Sequence, residues 1–105
     1  MKRANFVRFK GFDWDSGNRQ KARRHGVEIS EIETLFLSPL FVIFDEKHSD
    51  DEDRFIAVGE TIEGDPIFVC FTFRTIYRET FVRVISARYM HEKEKIFYEK
   101  LKKDE

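Results

Sequence analysis

The chain is poor in the features that mark covalently stapled, secreted or membrane-spanning proteins. It has one cysteine, Cys70, in 105 residues, so no disulfide can close within it. Cys70 stands inside an apolar run and reads as a small buried hydrophobe, a usage that suits a reducing compartment and makes the cytoplasm the expected location. No apolar run approaches the ~18 residues of a membrane span, so no membrane partner is expected. The basic start Met1-Lys2-Arg3-Ala4-Asn5-Phe6 lacks the apolar core of a signal peptide. There is no Gly-rich phosphate loop and no nucleophile motif, which leaves a small metabolic enzyme without support. There is no cysteine pair for zinc, and the acidic residues of 45–53 do not follow calcium-loop spacing, so neither metal nor cofactor is expected. Net charge is also scarce, at −1, which by itself argues against a nucleic-acid partner.

What the chain does have is apolar mass and segregated charge. Hydrophobic residues make up 41% and include 12 phenylalanines, enough for one domain over residues 1–105 around one core. Residues 1–29 hold eight Lys/Arg against three Asp/Glu, whereas residues 45–65 hold two basic and nine acidic residues. Such a distribution predicts a dipolar surface with one basic face.

Phe6 to Phe12 alternates apolar and basic residues and predicts a short edge strand with a bend at Gly11. Asp15 is placed to cap a basic surface helix from Ser16 to His25, closed by Gly26. Ser30-Glu31-Ile32-Glu33 reads as a capping box for a second helix, Glu31 to Phe36 or Leu37, that buries Ile32, Leu35 and Phe36. Leu40–Phe44 and Arg54–Thr61 predict strands on either side of an acidic loop, Asp45–Asp53. Pro66–Arg74 is apolar on both parities and predicts a strand buried on both faces or nearly so. Thr75–Glu79 is the expected hairpin loop before a strand starting at Thr80. A last helix is expected from Ser86 or Ala87 to about Lys102, with Met90, Phe97 and Leu101 facing the sheet. The fold class is therefore α+β: an antiparallel meander with two N-terminal helices and one C-terminal helix packed on it.

Several motifs then fall in a telling order: Phe12-x-Trp14-Asp15, Arg24-His25-Gly26-Val27, His48-Ser49, Asp53-Arg54-Phe55-Ile56-Ala57-Val58-Gly59, Val69-x-Phe71-Thr72, and Arg83-x-Ile85-Ser86-Ala87-Arg88. The series resembles the BrnT family of bacterial type II toxins over roughly Phe12 to Tyr98. The resemblance implies a RelE-like fold and a metal-independent ribonuclease that halts translation. It also implies a BrnA-like antitoxin partner with a ribbon-helix-helix domain, and contact with DNA only through that antitoxin. The family's usual Lys-His-Gly is Arg24-His25-Gly26 here, Glu-Arg-Tyr is Asp53-Arg54-Phe55, and Asn18 stands where lysine is common.

Metal-free RNA cleavage needs a base for the 2′-hydroxyl, an acid for the leaving 5′-oxygen, and cations for the charge gathering on phosphorus. Arg54, Arg83 and Arg88 are the candidate catalytic cations, since each stands in or beside a predicted strand that can aim it. Internal ion pairs to Asp53, Glu60 or Glu79 are the plainer reading of the same arginines. His25 suits acid–base work or a helix-end cation. Lys21 and Arg24 are candidates for positioning phosphates. His48, His91 and Tyr89 are further RNA-binding candidates, His91 by sharing a helix face with Arg88 and Tyr89 by stacking on a base. A second class of function is also open: a non-catalytic subunit that acts only with its antitoxin as a repressor.

Overall fold

The structure, a computed structural model, describes residues 8–105. Its organising element is the hairpin of β4 (Pro66–Ile76) and β5 (Glu79–Tyr89). In β4, Ile67, Val69 and Phe71 are fully buried, while Phe68 and Cys70 on the other face are half-buried. The first set meets helices. The second is only partly roofed, so the run that reads as buried on both faces is fully buried on one.

Around the hairpin the sheet has five strands in the order β1-β5-β4-β3-β2, with β1 at Gly11–Phe12, β2 at Phe41–Phe44 and β3 at Phe55–Glu60. β2 to β5 form the expected antiparallel meander, which with its helices makes an α+β fold. β1 departs from it by pairing parallel to β5, Gly11 opposite Phe81 and Phe12 opposite Val82. The chain crosses the whole sheet before it returns to this edge. Gly11 opens this strand instead of bending it, and Phe6 and Val7 of the predicted strand lie outside the described residues.

Helix α1 runs Ser16–Arg23 with Asp15 as N-cap, accepting from the Asn18 N–H at 2.9 Å. It ends before His25, because Gly26 takes φ +88° and turns the chain. Helix α2 runs Ile29–Leu35, two residues earlier than the predicted start. Glu28, not Ser30, caps it, and its N–H donates to the Glu31 carboxylate at 2.9 Å. Ile32, Leu35 and Phe36 are buried against Val69, Phe71, Val82 and Val84. Edge-to-face contacts such as Phe36 on Phe71, 5.0 Å between centroids, fill this layer.

Helix α3 starts at Glu92 and runs to Lys103. Ser86 to Tyr89 stay in β5 because they pair with Cys70 to Ile67 of β4. The later start turns the helix, so Tyr98 faces the sheet and is buried with Phe41, Val58 and Met90, while Phe97 stays 45% exposed. The hairpin loop is also shorter than predicted. Only Tyr77 and Arg78 turn, both with positive φ, at 48° and 66°. That is the conformation of the tight turns that favour Asn-Gly, imposed here on two residues with large side chains by strands that pair out to Ile76 and Glu79.

Candidate functional site

Cross-strand register sets the site. On the face opposite α1 and α2, β5, β4 and β3 bring together Arg83 with Thr72, Ser86 with Cys70 and Ile56, and Arg88 with Phe68 and Val58. Arg54 stands one residue before β3, beside this grid, and the Thr72 hydroxyl donates to the Asp53 carbonyl at 2.6 Å. Arg83 and Arg88 are five apart, so a regular strand would point them to opposite faces. The register shifts between Cys70↔Ser86 and Phe71↔Val84, leaving Ile85 as an extra residue in β5. This bulge reverses the parity and puts both arginines on one face.

Two clefts open on that face. The first, of about 400 Å³, has His25 and Arg88 at its rim and Ile56, Phe68, Cys70 and Ser86 along its floor. The Arg88 guanidinium lies over the Phe68 ring at 4.9 Å. Its Nη1 and Nη2 each donate to the Glu94 carboxylate at 2.8 Å. Glu94 also accepts from the His91 N–H at 2.8 Å, so one carboxylate caps α3 and clamps the arginine. The Arg88 bond, helped by that N–H, pulls the Glu94 carboxyl down to about 2, and Glu94 in turn raises the Arg88 pKa. The second cleft, of about 250 Å³, gathers Lys21, Arg54 and Arg83 with Asp15 and Glu52. Arg83 donates to Asp15 at 2.7 Å and to Asp13 at 3.3 Å. The Asn18 N–H and the Arg83 bond together lower the Asp15 pKa. Arg54 Nε lies 3.7 Å from Glu52, which Arg74 shares at 2.7 Å.

Asn18 explains how α1 comes to border both clefts. β1 covers β5 only at Phe81 and Val82, leaving the Val84 carbonyl without a strand partner. Asn18 is buried there, and its amide donates to Val84 O and Asp13 O, each at 3.0 Å. The helix is thereby held along β5, with Lys21 in one cleft and His25 in the other.

Residues 14–94 match the family model described as the ribonuclease toxin BrnT of type II toxin–antitoxin systems. The match takes in His25, Arg54, Arg83, Arg88 and Glu94. The chain belongs to the BrnT family. Among curated proteins, none matches the chain. Membership makes it a toxin of the ribonuclease class, with an antitoxin as its counterpart.

Apart from the residues of these two clefts, the remaining candidates are scattered. Arg24 is exposed in a hollow on the outer face of α1 with Arg19 and Arg23. His48 sits in a 3-10 turn, Glu46–His48, with Nδ1 at 3.0 Å from Asp45, in a separate hollow that Arg54 also borders. His91 is the exposed N-cap of α3, reaching Arg88 through Glu94 and not along a helix face. Tyr89 faces the helix side, where its hydroxyl donates to Glu31 at 2.9 Å and burial pushes its pKa up to about 12. It lies away from both clefts. The arginine partners Asp13, Asp15, Glu52 and Glu94 are not the carboxylates that local sequence suggests; Glu60 instead meets Tyr98 at 3.0 Å and Lys102 at 2.9 Å. One signal for Glu94 is present in the sequence, since His91-x-x-Glu94 has capping-box spacing. Among the described residues no cluster of three or more His, Cys, Asp or Glu side chains is arranged to hold a metal ion.

Proposed function

We propose that the open sheet face cleaves RNA without a metal, using the substrate's own 2′-hydroxyl as nucleophile. Arg83 and Arg88, with Arg54 beside them, stabilise the negative charge on phosphorus, and His25 exchanges a proton with the ribose or the leaving oxygen. A single observation carries this reading: the Ile85 bulge turns Arg83 and Arg88 to one face, where the turn after α1 brings His25 to the Arg88 cleft. Arginine fits the role because its planar fork grips two phosphate oxygens and stays charged. Each fork is already held by carboxylates, so a phosphate enters by taking the place of Glu94 or Asp15. Lys21 and Arg24 position the strand. The target process is translation, the compartment the cytoplasm, and the counterpart a BrnA-like ribbon-helix-helix antitoxin that alone touches DNA.

The same ion pairs favour a second reading. Arginines neutralised by Glu94, Asp15 and Glu52 would serve a scaffold as well as a catalyst, which leaves a non-catalytic subunit of an autorepressor complex. Expressing the chain without its antitoxin separates the two. Growth arrest with cellular RNA cut at new sites is the expected outcome, and it should vanish with Arg88→Ala. Normal growth with intact RNA would favour the repressor subunit.

A further inference from the structure

Among the described residues, the cations of the sheet face and those of α1 differ in their partners. Those on the sheet face are compensated, Arg83 by two aspartates and Arg88 by a bidentate glutamate. Helix α1 and the two residues after it carry Arg19, Lys21, Arg23 and Arg24, with no acidic residue between Ser16 and His25. Among the described residues Arg19 and Arg24 have no carboxylate within ion-pair distance. Arg23 reaches Glu28 only at 3.6 Å, with both side chains more than half exposed. Such an exposed pair adds little and is readily exchanged. Among the described residues a polyanion therefore meets a cluster of uncompensated arginines at α1, whereas Arg83 and Arg88 are already held by carboxylates.

The geometry gives this field a shape. Arg19, Gln20, Arg23 and Arg24 line one hollow of about 280 Å³ on the outer side of α1. Arg19 and Arg23 are one turn apart, about 6 Å along the axis. The Arg19 guanidinium rests over the Trp14 ring at 5.5 Å, which restrains it before any ligand arrives. The helix and the turn after it border both clefts through Lys21 and His25, so a strand laid in the hollow has a short path to either.

We infer that Arg19 and Arg23 form an RNA-docking track with Arg24, holding phosphates of the same strand outside the clefts and adding to its binding affinity. This rests on the ribonuclease reading and adds a division of labour to it. Guanidinium forks grip carboxylates and phosphates alike, and it is continuity with the clefts that favours the phosphate backbone of the strand acted on there over an acidic protein.

The test is binding of the full chain to a single-stranded RNA oligonucleotide whose 2′-hydroxyls are methylated, so that it is not cut. Fluorescence anisotropy between about 50 and 200 mM salt gives the slope of log K against log salt, at ~0.7 per phosphate contact for single strands. In Arg19→Gln/Arg23→Gln the slope should fall by about 1.4 and affinity at the lowest salt by on the order of tenfold. Lys100→Gln/Lys103→Gln on α3 removes the same charge and should leave the slope unchanged. Both pairs are exposed, and thermal melts check that each variant folds. Equal losses in the two variants, or an unchanged slope in the α1 variant while wild type binds, would overturn the track and leave the ribonuclease reading intact. Loss of antitoxin binding with RNA binding retained would assign the hollow to a protein and overturn it too. Wild-type protein that binds no RNA at any salt would sink both readings together.

Discussion

The arginines of β5 and those of α1 are chemically identical and differ in what surrounds them. Arg83 and Arg88 stand on a rigid strand and are locked by carboxylates distant in sequence or one helix turn into α3. Arg19 on α1 and Arg24 at its C-terminal cap are exposed to solvent, with no acid in reach among the described residues. A locked guanidinium is placed accurately but is costly to redirect, whereas a free one is available but less well aimed. Accuracy matters most where charge develops during a reaction, and availability matters most for capture. The comparison teaches that counting cations on a face says little about binding until their partners are named.

The strongest way to break this contrast is to remove a locked arginine. Arg88→Ala should slow single-turnover RNA cleavage by on the order of 100-fold or more, while RNA affinity by anisotropy changes only a few-fold. A loss confined to affinity would erase the distinction between the two groups. Asn18→Ala tests what holds α1 against β5. It leaves the Val84 carbonyl buried without its donor, so the urea midpoint should fall by an amount equal to about 1–3 kcal/mol, and cleavage should drop because Lys21 and His25 lose their placement.

Glu94→Gln sharpens the contrast by loosening the lock on Arg88, and RNA affinity should rise several-fold. The same variant reports on pH. In the folded protein the Glu94 carboxyl is held at about 2, below its ordinary 4.5. A lowered carboxylate pKa means stability that is fully present above 4.5 and disappears as pH falls toward 2. Urea midpoints followed across this range should therefore drop more steeply for wild type than for Glu94→Gln. Parallel curves would show that the ion pair contributes nothing. The smallest effect belongs to the hairpin tip, far from either group. Tyr77→Asn with Arg78→Gly suits the positive φ of both residues and should raise stability by about 1 kcal/mol without touching cleavage.

Local signals made part of this fold legible. Asp15 reads as a cap and caps; Gly26 reads as a helix stop and takes the left-handed conformation. The apolar runs of β2, β3 and β4 are continuous enough to identify as strands and sit next to one another as expected. Features that depend on pairing between distant segments were not legible. The Ile85 bulge has no mark of its own in Val84-Ile85-Ser86, yet it decides which face Arg88 takes. β1 pairs in parallel with a strand almost seventy residues later, and no local pattern announces it. The start of α3 is hidden because Ser86-Ala87-Arg88-Tyr89 would suit a helix in isolation and is held extended only by β4. The site shows the same limit. Which residues are arginines or histidines is plain from the sequence, but Asp13 and Asp15 become partners of Arg83 through tertiary structure alone, and the sequence marks Glu94 only as a helix cap.

The most direct test of the central claim is the chemistry of the cut end. An oligonucleotide with one ribose in an otherwise deoxyribose strand, incubated with the purified chain and excess chelator, should be cleaved only after that ribose and leave a 2′,3′-cyclic phosphate. Cleavage that requires a divalent ion, or that proceeds equally well without the 2′-hydroxyl, would contradict catalysis by Arg83, Arg88 and His25 acting on the substrate's own nucleophile.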